Sequence, residues 1–176
     1  MSSRVSSFIL LMIFGVLSTI TLNVMWTTFG HLTIYHMMLI FIIASLGESI
    51  VSSQGYYHYT RQERNGPFIR NVPIWIAFLW TFSIQGSLLI ALLAGATGIQ
   101  AILASGLIAC LADLILFEPF LCRNKQLWRW TPVTNGYFRF IPSRFNRFTA
   151  PLGNYITWFL FPIIANGFLG LLTLIF

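Results

Sequence analysis

The sequence predicts an all-α integral membrane protein, a bundle of about five transmembrane helices, and three observations carry that prediction. Hydrophobic residues make up 57% of the 176 residues and charged residues only 8%, too few charges to cover a water-exposed globule of this size. Apolar runs recur at about 8–26, 32–51, 72–94, 98–121 and 151–176, each reaching or approaching the ~20 residues that cross a bilayer core as helix. With five spans, every Lys and Arg falls on one side: Arg4, then Arg61, Arg64 and Arg70, then Arg123, Lys125, Arg129, Arg139, Arg144 and Arg147.

That partition sets the orientation, because basic residues in short loops resist translocation. It places the N-terminus and the loops 52–71 and 122–150 in the cytoplasm and the C-terminus outside, in one domain, 1–176, of a multi-pass protein of the cell membrane. The partition also checks the count, since one helix more or fewer would put the two basic loops on opposite sides. The same tie to membrane loops accounts for the net charge of +6 without a nucleic-acid partner, and no nucleic-acid motif is present.

The first run follows Arg4, as a signal peptide would, but it is long for such a segment and no small-x-small cleavage pattern closes it, so it reads as a retained helix. Short links at Thr27 to His31 and Gly95 to Thr97 predict antiparallel hairpins between the first two helices and between the third and fourth. Pro73 is expected near the start of the third helix and Pro119 near the end of the fourth, while Pro162 is expected to kink the last. Ala101, Ser105 and Ala109 form a small-residue stripe on the fourth helix, with Asp113 one turn further on, and Ser83, Gly86 and Ser87 do the same on the third. Such stripes let helix backbones approach closely in lipid, so Asp113 is expected to face protein. The loop 122–150, rich in Trp, Tyr, Phe and Arg, is expected on the membrane surface or as a cap on the bundle.

Only four carboxylates exist, and Glu48, Asp113 and Glu118 lie inside predicted spans, where an ionisable group normally faces the bundle interior. Topology brings all three to one depth near the basic loops. Two readings stay open: ion pairs with Arg61, Arg70 or Arg123 that lock the loops to the bundle, or a buried carboxylic acid used as a general acid beside an apolar channel. His31, His36 and His58 are spread over both membrane sides with no HExxH or HxxxH spacing, so no metal site is expected. His58, among Tyr56, Tyr57 and Tyr59, reads as an interfacial residue. Cys110 and Cys122 are too few for a disulfide scaffold. No phosphate loop or nucleophile motif is found, and no repeat or paired broken helices suggest a transporter.

The stretch Gly47-Glu48-Ser49 through Gly55-Tyr56-Tyr57-His58-Tyr59-Thr60, then Gly66-Pro67, Val72-Pro73 and Trp80, resembles the membrane carotenoid biosynthesis family of cofactor-independent carotenoid hydratases, the bisanhydrobacterioruberin hydratase type. Asp113 with Glu118-Pro119, Trp128-Arg129-Trp130, Gly136-Tyr137 and Ile141-Pro142 continue the likeness, which covers roughly Gly47 to Phe148. The chain is shorter than typical members.

The resemblance implies a hydro-lyase that adds water to a terminal C=C of an acyclic carotenoid, with no cofactor and no metal. It implies Glu48 and Asp113 as an acid and base pair, neither role assigned, and Glu118 as a catalytic-site partner, structural or electrostatic. Tyr57, Tyr59 and Trp130 would bind substrate and flank a carbocation with their π faces. The expected partners are membrane lipids and a carotenoid or other polyisoprenoid. A second expectation comes from another class: a non-catalytic small subunit of a larger membrane complex, binding lipid or pigment.

Overall fold

The computed structural model describes residues 3–60, 65–131 and 150–174. Arg61, Glu63, Arg64, Arg139, Arg144 and Arg147, the Gly136-Tyr137 and Ile141-Pro142 motifs, and most of the loop expected on the membrane surface lie outside the described residues.

Five long helices account for most of it: α1 (Ser3–Phe29), α2 (Leu32–Ser53), α3 (Trp75–Leu93), α4 (Gly98–Ala112) and α5 (Leu152–Leu172). Segments of all five, α4 together with its continuation to Asn124, are long and apolar enough to cross a membrane. Their polarity is inverted relative to a water-soluble bundle. Phe8, Met12, Val16 and Ile20 on α1 and Ile34, Met38, Ile42 and Leu46 on α2 are exposed, whereas Ser18, Thr21, Thr33, His36, Gln85, Ser105 and Asn166 are buried. This is the arrangement lipid favours, since apolar side chains lose nothing against acyl chains and polar ones need protein partners. The chain is therefore a membrane protein.

α3 is central and touches the other four helices. Its hydroxyls are satisfied within the helix, Thr81 donating to the Ala77 carbonyl at 2.9 Å and Ser83 to that of Leu79 at 2.7 Å, which leaves a smooth packing surface. α1 packs chiefly on α3 rather than on its hairpin neighbour α2. The expected stripe on α4 is buried, with Ala101, Ser105 and Ala109 at 0–1% exposure. At its centre, a Cβ on Gly106 would lie 2.5 Å from the Phe159 carbonyl oxygen of α5, so only glycine permits this approach. Beside it the Asn166 amide donates to Ser105 Oγ at 2.8 Å and to the Ile84 carbonyl at 3.4 Å, joining α5, α4 and α3.

Three features depart from the sequence expectation. The third helix begins at Trp75 rather than at 72, because Val72-Pro73 is a strand, β3, paired antiparallel with β2 (Phe68–Ile69). A residue before proline is driven to extended geometry, which forbids the helix there. The fourth helix changes register at Asp113 and continues to Asn124 as a π-helical segment containing Pro119. Proline cannot join an α ladder, having no N–H and clashing with the carbonyl four residues back, and a wider winding accommodates it. Finally, Tyr57–Tyr59 (β1) pairs antiparallel with Trp128–Trp130 (β4), in the register Tyr57 with Trp130, His58 with Arg129 and Tyr59 with Trp128. The alternation Tyr-His-Tyr against Trp-Arg-Trp turns the tyrosines and tryptophans inward and leaves His58 and Arg129 exposed. Buried Asn65 clamps the ribbon, its amide donating to the Thr60 and Leu127 carbonyls at 2.7 Å each.

Candidate functional site

The aromatic ribbon closes one end of the bundle, and beneath it the buried acids meet. Glu48 reaches the site from the last two turns of α2, Asp113 and Glu118 from the π-helical segment, and Asn154 and Trp158 from the first turns of α5. Asp113 and Glu118 stand five positions apart, which on an α-helix would turn them about 140° from each other. Hydrogen bonds from residue i to i+5 bring such positions nearly into line, so the π winding presents both carboxyl groups to one chamber.

The chamber has a volume of about 40 Å³, room for roughly one or two water molecules. It is lined by Glu48, Asp113 and Glu118, by Tyr57, Tyr59, Trp80, Trp128, Trp130 and Trp158, and by Asn154 with Ile76 and Leu79. All six residues singled out in the sequence, Glu48, Asp113, Glu118, Tyr57, Tyr59 and Trp130, therefore come together. Trp80, Trp128, Asn154 and Trp158 join them. The first two sat within recognisable motifs without a role. For the last two the available signal was one polar residue and an aromatic four positions on, facing the same side of an otherwise apolar helix.

Each carboxyl group accepts hydrogen bonds from uncharged donors among the described residues. Glu48 is half-buried; its Oε2 accepts from the Tyr57 hydroxyl and from Tyr59 at 2.7 Å, and its Oε1 accepts from Trp80 Nε1 at 2.8 Å. Asp113, 1% exposed, accepts from Asn154 Nδ2 at 2.6 Å. Glu118, also 1% exposed, accepts from Trp128 Nε1 at 3.1 Å and from Trp130 Nε1 at 3.1 Å. Among the described residues the donors to Glu48 and Asp113 are thus tyrosine, tryptophan and asparagine rather than the arginines of the ion-pair expectation, and Arg70 and Arg123 are exposed. Burial, and after it the neighbouring Glu48 carboxyl group, holds the Tyr57 and Tyr59 phenols well above the usual tyrosine range, so both remain neutral donors.

The aromatic walls are ordered among themselves. Trp158 stacks on Trp80 and Phe117 tilts against it at 5.6 Å, while the Tyr57 and Trp130 rings lie 4.8 Å apart and edge-on. Such faces stabilise positive charge brought against them. Among the described residues no group of three His, Cys, Asp or Glu side chains is arranged to hold a metal ion.

A second cavity of about 710 Å³, between α2 and α5, adjoins the chamber. Glu48, Tyr57, Trp80, Trp130 and Asn154 line both spaces, and the rest of the larger one is largely apolar, with Ile43, Ala44, Val51, Ile156, Leu160, Phe161 and Ile164. Of the three acids only Glu48 reaches the groove.

No curated protein and no solved structure matches the chain. A family match does exist, and it extends well beyond Gly47 to Phe148 in both directions, over α1 and α5 as well as the site. Its residues 7–174 match, and the chain belongs to the carotenoid biosynthesis protein family.

Proposed function

We propose that the protein is a cofactor-independent hydratase of carotenoid biosynthesis, adding water across the terminal C=C of an acyclic carotenoid. The observation that carries this reading is the junction of a water-sized chamber bearing three acids with a long apolar groove, Glu48 standing where they meet. Hydration of an unactivated alkene needs a proton donor, a water and an acceptor for that water's proton, in a place that also seats a greasy chain.

In this mechanism the terminal isopropylidene group lies in the groove against Glu48. The carboxylic acid of Glu48 gives its proton to the less substituted alkene carbon, leaving a tertiary carbocation. Trp80 and Trp130 face that charge, and the Tyr57, Tyr59 and Trp80 donors stabilise the carboxylate left behind. Water in the chamber attacks the cation while Asp113, oriented by Asn154, accepts its proton, and return of that proton from Asp113 to Glu48 through chamber water restores both groups, so the balance is addition of one water. Glu118, fixed by the two ribbon indoles, adds negative charge behind the water. The family membership supports a role in carotenoid biosynthesis, and the exposed Arg123, Lys125 and Arg129 at this end favour a cytoplasmic site in the cell membrane, with the N-terminus inside and the C-terminus outside.

The test is conversion of an acyclic carotenoid by the protein in nanodiscs, read as a product heavier by one water. Glu48→Gln and Asp113→Asn should each abolish it, and full activity in either variant would refute the assignment. Recovery from native membranes in fixed ratio with other subunits, without hydratase activity, would instead support the small-subunit reading.

A further inference from the structure

We propose that the substrate is admitted sideways from the bilayer through the α2–α5 groove, which grips only one end of it, and that Gly47 and Gly153 are the residues that keep this path open. The inference rests on the hydratase reading for its chemistry, but the groove stands on its own geometry.

The groove has an exposed rim on both helices. Ile43, Ile156, Leu160 and Ile164 line it and are 39–62% exposed, on helices whose exposed residues are those that meet acyl chains. A ligand dissolved in the membrane reaches it without crossing the headgroups, whereas a polar ligand from water would have to cross an apolar rim. The occupant that fits is therefore an apolar chain already in the bilayer, and the hydratase reading makes it a polyene.

Its reach is limited. From Asn154, which lines the chamber with Glu48, the lining residues on α5 run to Ile164, about 15 Å at the rise of an α-helix, against a hydrocarbon core of about 30 Å. A chain whose end touches Glu48 has the protein beside it over that run and lipid beyond it. The site thus reads the terminal group and the first part of the chain and takes no measure of total length.

Gly47 on α2 and Gly153 on α5 set the width. Both line the groove, and a Cβ built on either meets nothing within 4 Å among the described residues. Glycine within a helix is normally disfavoured, and here no close helix contact requires it, unlike Gly106. The space beside each is groove, so a larger side chain enters it without displacing protein.

The experiment uses wild type, Gly47→Leu and Gly153→Leu in nanodiscs, with an acyclic polyene and a shortened analogue carrying the same isopropylidene end. Polyene bound per protein is read from its absorbance, and hydration is read separately. Both variants should melt no lower than wild type yet bind polyene at least about tenfold more weakly, and wild type should process the two chain lengths with kcat/KM equal within about threefold. Variants that bind and hydrate as wild type does would overturn the groove while leaving the hydratase reading intact. Polyene bound by wild type and lost in the variants, without hydration by any of them, would uphold the groove and sink the hydratase reading. Should leucine unfold either helix, Ile156→Trp narrows the groove from its exposed rim and should give the same loss of binding.

Discussion

Trp158 lies flat on Trp80, ring centroids 3.9 Å apart and planes within 7°, and the indole so fixed donates its N–H to Glu48. One residue from α5 thus orients a second on α3 that holds an acid on α2. Trp80→Phe keeps a ring and removes the donor. It should lower kcat for hydration about ten- to a hundredfold with less change in KM, measured beside Trp158→Phe, which keeps the stack and should stay within about threefold of wild type.

Asn154 tests whether Asp113 needs orienting. Asn154→Leu removes the 2.6 Å hydrogen bond at a buried carboxyl group, a loss typically worth about 1–3 kcal/mol. Hydration should fall by an order of magnitude or more, while polyene binding should persist because the groove stays apolar. Unchanged hydration would exclude Asn154 from the site's working geometry.

The tyrosine pair gives a pH prediction. Burial and Glu48 disfavour the phenolate in the folded protein, so the folded pKa lies above the unfolded value of about 10. The resulting stabilisation is complete below that pH and is lost as pH rises toward the folded value. At about pH 11 the phenolate absorbance of Tyr57→Phe and Tyr59→Phe should match that of wild type, because neither residue has ionised there; a deficit of one tyrosine's share in either variant would show the opposite.

Gly106→Ala places a methyl group 2.5 Å from the Phe159 carbonyl oxygen and against Ile163. Overpacking of this kind costs about 1–3 kcal/mol. Thermal unfolding in detergent should show a clear loss, in contrast to Gly47 and Gly153, where substitution meets open space.

The apolar runs showed the five helices because a bilayer imposes length and composition directly on sequence. Glu48, Asp113 and Glu118 were legible as a group for a related reason: few carboxylates survive inside a membrane span without a common purpose. The parts that stayed hidden depend on register. Three-residue strands such as Tyr57–Tyr59 are too short to announce themselves, although their alternation was there to see. Val72-Pro73 merged with the apolar run behind it. Asn154 and Trp158 gained meaning only once α5 was set beside α3 and the π-helical segment.

The π winding between Asp113 and Glu118 makes their separation a matter of phase. Five positions are one wide turn, and the two acids share a face only while that count and that winding agree. Inserting a single residue beside Leu116 would leave every acid, every aromatic and the span's hydrophobicity in place, yet would set the two acids six positions apart and turn Glu118 away from Asp113. Where a relative carries one residue more across this stretch, the second acid is expected to move with the winding, so a gained residue there is a better marker of altered chemistry than most substitutions in the surrounding helix.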